Sequence, residues 1–80
     1  MTMRPFLKLV DNELVAARRK HPKIADPHAA YAVILEELDE FWAEVKRQEH
    51  DGAAMLRELV QTAAMCCRAA EDMRLRVGDQ

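Results

Sequence analysis

The stretch DPHAAYAVILEELDEFWAEVKRQEHDG, from Asp26 to Gly52, decides the fold. Asp26 followed by Pro27 reads as a helix N-cap with proline in the first turn, where its missing N–H costs nothing. From there to His50 no breaker intervenes, and Asp51-Gly52 makes a turn. The spacing predicts a helix over about 27–50, with Tyr31, Ile34, Leu35, Leu38, Phe41, Trp42 and Val45 converging on one face.

A helix lies to either side. Upstream, Pro5 opens a stretch in which Phe6, Leu9, Val10, Leu14 and Ala17 recur at helical spacing, so a helix is expected over about 5–20. Its last turn holds Arg18, Arg19 and Lys20, which complement the helix dipole. Downstream, sixteen of the twenty-five residues over 53–77 are apolar and spread round most of the circumference, predicting a helix buried on more than one side and ended by Gly78. The fold class is therefore all-α: one domain over 1–80, a three-helix antiparallel bundle-like protomer. Eighty residues build only a thin core, so oligomerisation is expected to complete it, with helix three offering its second apolar side to another subunit.

Charge narrows the partners. Residues 1–25 sum to +4, from six basic and two acidic groups, whereas residues 26–51 sum to −6, from two basic and eight acidic. Nucleic acid is not expected as the main ligand, because the one basic stripe is Arg18, Arg19, Lys20 and Lys23. No apolar run is long enough for a membrane span, and the N-terminus has no apolar stretch of the secretory kind. A cytoplasmic protein is expected, in which the adjacent Cys66 and Cys67 point about 100° apart and read as small buried residues.

Five carboxylates, Glu36, Glu37, Asp39, Glu40 and Glu44, occupy helix two with no basic residue among them. Glu37, Glu40 and Glu44 form a ridge beside the apolar face, with Glu37 nearest the core and Asp39 on the opposite flank. Like charges at i, i+4 each cost roughly 0.2–0.5 kcal/mol, so the ridge is a solvated acidic face, pairs with helix one, or holds a divalent cation. On helix three, Glu58, Gln61 and Thr62 form a polar patch among Ala54, Met55, Met65 and Ala69. Glu58 there needs a partner, such as Arg57, Arg68 or a metal. Folding back at Gly52 puts Glu58 level with about Lys46, so that Glu44 faces it more directly than Glu40 or Glu37. His28 reads as a cap or surface residue, His21 and His50 as solvated, and Tyr31 and Trp42 as core or interface residues.

Taken together, His28-x-x-Tyr31, Leu35-Glu36-Glu37-Leu38-Asp39-Glu40-x-Trp42 and Glu58-Leu59-Val60-Gln61 resemble the MazG-like all-α nucleoside triphosphate pyrophosphohydrolases over about residues 6–75. Glu36, Glu37 and Glu40 match that family's Glu-Glu-x-x-Glu motif. Glu58 opens its Glu-x-x-Asp motif, and Gln61 stands where the family has Asp. The resemblance implies a Mg²⁺ site, with Mn²⁺ as a substitute, at which a nucleoside triphosphate is split to a monophosphate and pyrophosphate. It implies catalytic roles for Glu36, Glu37 and Glu40, with Glu36 orienting water, and metal-ligand positions at Glu37, Glu40, Glu58 and Gln61. A homodimer or homotetramer would supply the wall that a fourth helix gives the family. The alternative is a non-catalytic helical protein-interaction module on a degenerate scaffold of this kind, similar to small proteins that bacteriophages encode.

Overall fold

A computed structural model describes residues 4–75, and all regular structure among them is helical. Helix α1 spans Arg4–Lys20, α2 spans Pro27–Val45 and α3 spans Gly52–Asp72. Helix α3 is central: α1 and α2 each pack along it and not against one another.

The capping chemistry explains the boundaries. The Asp26 carboxylate accepts from the Ala29 N–H at 2.9 Å, as the Asp-Pro pair predicts. Asp51 does the same for α3, accepting from Ala53 at 3.0 Å and Ala54 at 3.2 Å. Asp51 is thus a cap, and Gly52 is the first residue of the helix. Helix α2 ends at Val45, five residues short of the expected His50. The reason is burial: after Val45 the run Lys46-Arg47-Gln48-Glu49-His50 has no apolar side chain to bury and is exposed throughout.

Helix α3 also ends early. Arg74 adopts the left-handed conformation, φ 58°. The Leu75 N–H donates to the Ala70 carbonyl at 2.9 Å and the Arg74 N–H to the Glu71 carbonyl at 3.1 Å, the paired closure of a Schellman motif. An arginine takes the place usually held by glycine, so no residue type marked this terminus. The expected ending at Gly78 lies outside the described residues.

The core is thin. Val10 and Ala17 from α1 meet Val60, Ala64 and Met65 from α3, with Phe6, Val33, Ile34 and Ala63 packed round them. A second cluster, Ile24, Ala30 and Ala69, seals the far end with Met73. Among the described residues no large side chain is fully buried. Cys66 and Cys67 are both exposed, contrary to the reading of them as buried: the third side of α3 has no neighbouring helix to cover them.

The apolar face of α2 divides in two. Ala30, Ile34 and Phe41 turn inward, whereas Tyr31 is 67% and Trp42 55% exposed, with Leu35 and Leu38 between them on the same outer stripe. At about 100° per residue this stripe lies on the side of α2 opposite Val33 and Glu36, which face α1. Leu59 and Cys66 occupy the corresponding side of α3 and are exposed. The α2–α3 hairpin therefore has one side covered by α1 and one apolar side open. No helix among the described residues is long and apolar enough to cross a membrane.

Candidate functional site

Three carboxylates from two helices converge between α2 and α3. Glu37, Glu40 and Glu58 each bring one oxygen into a group in which all lie within 4.8 Å of one another. The register that allows this differs from the expected one. Because α2 stops at Val45, the hairpin reverses about residue 48–49, not at Gly52, and the level opposite Glu58 moves to about residue 39–40. Glu40 therefore meets Glu58. Glu44, expected to face it most directly, pairs with Arg47 at 3.3 Å.

The electrostatics of the trio are unbalanced. Glu37 and Glu58 are half-buried while Glu40 is exposed. Glu37 Oε2 and Glu58 Oε1 are buried and accept no hydrogen bond. Loss of solvent, followed by the charge of Glu40, pushes Glu37 from its ordinary 4.5 up to about 7. The same two causes, in the same order, raise Glu58, and Arg57 opposes them only in part. Both carboxylates therefore hold a proton more readily than a free glutamate does.

The other expected partner of Glu58 is elsewhere. Arg68 is buried, 5% exposed, at the opposite end of α3. Its guanidinium donates to the Pro22 carbonyl at 2.8 Å and to the Met65 sulfur at 3.4 Å, and Nε lies 3.9 Å from Asp72. Asp72 in turn accepts from Arg18 at 2.7 Å and from the Ile24 N–H at 2.9 Å, and Arg18 also reaches Glu71 at 2.6 Å. These bonds hold Asp72 below its ordinary range. The basic last turn of α1 thus has a specific partner, and Arg68 ties down the 21–26 connector. Sequence reasoning missed this network, because the contacts that join α1 and the connector to α3 span 46 to 54 positions.

The remaining expected residues divide cleanly. Glu36 is exposed but faces a cleft of about 380 Å³ between α1 and α2, floored by Gln61, Met65 and Arg68 on α3. Glu37 also lines it, so the carboxylate trio and the cleft adjoin. Gln61 is half-buried and lines the cleft together with Glu36 and Glu37. Asp39 and His28 are exposed. His50 is exposed too, with its ring Nε2 3.0 Å from the Val45 carbonyl at the end of α2.

Fold and site together define an all-α chain with a two-helix carboxylate cluster opening on a cleft. No protein-family model matches the chain, and neither a curated protein nor a solved structure does.

Proposed function

We propose that this chain is a Mg²⁺-dependent nucleoside triphosphate pyrophosphohydrolase of MazG-like type, converting a ribo- or deoxyribonucleoside triphosphate to the monophosphate and pyrophosphate. The observation that carries the reading is the convergence of Glu37, Glu40 and Glu58, two of them with buried, unsatisfied oxygens. All-oxygen donors of high charge density suit Mg²⁺ or Mn²⁺. The donor set fits the ion: three carboxylates within reach of one another, whose mutual repulsion a dication relieves.

Glu37, Glu40 and Glu58 would hold the cation, which supplies charge neutralisation and an acidified water in this chemistry. Glu36, exposed at the cleft mouth beside Glu37, would orient that water toward the α-phosphorus. Gln61 contributes a neutral amide at the cleft floor, so it adds a contact but no charge. A homodimer or homotetramer belongs to the same reading. It is supported by the open apolar side of the α2–α3 hairpin, where Tyr31 and Trp42 stand exposed.

That same side favours a second reading, a non-catalytic helical interaction module. Incubation with a panel of nucleoside triphosphates and Mg²⁺ or Mn²⁺ separates the two. Release of monophosphate and pyrophosphate, abolished in Glu40→Gln with helical content intact, is expected for the enzyme. Mg²⁺ at four times its Kd is expected to stabilise the fold by about 1 kcal/mol. Neither turnover nor metal stabilisation would leave the interaction module standing.

A further inference from the structure

The cleft between α1 and α2 shares Glu37 with the carboxylate trio but carries the opposite charge at its other end. Lys20 and His21, from the end of α1 and the start of the connector, line one wall, and Arg68 lies in the floor. Lys20 makes no ion pair among the described residues. Arg68 is 5% exposed and has five N–H donors, of which one meets a carbonyl and one a sulfur, a weak acceptor. Its Nε makes no hydrogen bond. The Asp72 oxygens nearby are engaged by Arg18 and Ile24. The Arg68 guanidinium has Asp72 as its counter-ion, 3.9 Å from Nε, but keeps N–H donors to spare, and at the floor of a cleft whose wall carries an unpaired lysine those donors make a built site for an anion.

The acidic part of the lining limits which anion. Glu13, Glu36 and Glu37 also line the cleft and repel a bare anion, so the ligand must bring positive charge to their end. A cation-bound polyphosphate would do so, with Glu37, Glu40 and Glu58 holding the ion and the phosphates reaching into the cleft that Glu37 and Arg68 both line. At about 380 Å³ the cleft falls in the range of about 300–1,000 Å³ typical of small-ligand pockets. We infer that Arg68, Lys20 and His21 form a phosphate subsite that receives the distal phosphates of the nucleotide, an inference that rests on the carboxylate trio being the cation site.

The experiment is a calorimetric titration of the full chain with pyrophosphate in the presence of Mg²⁺, compared among wild type, Arg68→Lys, Lys20→Ala and Lys20→Ala/His21→Ala. Each loss of a charge-assisted hydrogen bond is expected to weaken pyrophosphate binding about tenfold. Mg²⁺ affinity measured alone should stay unchanged. Lys20 and His21 are exposed, so those variants keep the fold even if the Arg68 substitution does not. Pyrophosphate affinity unaltered by the Lys20 and His21 changes, or no pyrophosphate binding to a wild type that turns over triphosphates, overturns the subsite. Binding that depends on these residues without turnover leaves the subsite in place and removes only the catalytic reading.

Discussion

Two charged clusters mark the two ends of the α2–α3 packing, and they differ in how their charges are met. At the C-terminal end of α3, Arg18, Arg68, Glu71 and Asp72 alternate in sign, and the Asp72 side chain, only 2% exposed, is contacted from three directions. Near the hairpin turn, Glu37, Glu40 and Glu58 have one sign, which Arg57 opposes only in part. The first arrangement lowers its carboxylate's proton affinity, and the second raises it. A charge satisfied within the chain serves folding. A charge left unsatisfied by the chain costs stability, and such costs gather where a ligand completes the site.

The largest effect should follow from breaking the satisfied cluster. Asp72→Asn removes the charge that Arg18 and Arg68 share and weakens the acceptor for Ile24, leaving the Arg68 guanidinium buried without a counter-ion. The expected loss is on the order of 3 kcal/mol at neutral pH, measured by urea unfolding. The sign of the pH dependence follows. A carboxylate held below its ordinary 3.8 contributes stability at higher pH and loses it as pH falls through the depressed folded value. Wild type should therefore show an acid-unfolding limb that Asp72→Asn lacks. A variant within about 0.5 kcal/mol of wild type would remove the contrast between the clusters.

Relieving the unsatisfied cluster should act in the other direction. With Glu37 raised from 4.5 to about 7, the folded state keeps a proton that the unfolded chain has already released, so stability falls as pH rises through that window. Glu37→Gln eliminates the penalty. After allowance for partial solvent screening, the gain is on the order of 1–2 kcal/mol at pH about 8 and near zero at pH about 4. Thermal melts across pH test it, and a Glu37→Gln variant no more stable than wild type at the alkaline end would show that solvent already quenches the repulsion.

The two clusters were not equally legible in the sequence. The carboxylates announced themselves, because five acids without a base on one predicted helix are visible by inspection, and Asp26 and the helix count followed from local rules. Their register was not, since it depends on where α2 ends, and Lys46 to His50 are compatible with a helix by propensity alone. The second cluster was hidden altogether. Arg18 is plausible as a dipole partner and Arg68 as a partner of Glu58, and only the packing of α1 and the connector against α3 brings Asp72 to both. The Arg74 terminus was invisible for a related reason: a left-handed closure on a non-glycine residue leaves no residue type to read.

The smallest effect bears on which member anchors the satisfied cluster. Arg18 makes the shortest contacts there, at 2.6 and 2.7 Å, yet its side chain is 34% exposed and Glu71 is 61% exposed. Pairs open to water lose most of their Coulomb gain to solvent and to the entropy of holding two long side chains. In Arg18→Ala, Asp72 keeps the Ile24 N–H and the nearby Arg68 charge, so the drop in melting temperature should be clearly less than for Asp72→Asn. Added salt should shrink it further, which the deeply buried Asp72 contribution resists. In the double variant the Arg18 effect should shrink to what its exposed pair with Glu71 contributes, because Asp72 is already neutral. An Arg18→Ala loss equal to that of Asp72→Asn would mean that the Arg18 ion pairs carry the whole contribution of Asp72 and that its Ile24 and Arg68 contacts add nothing.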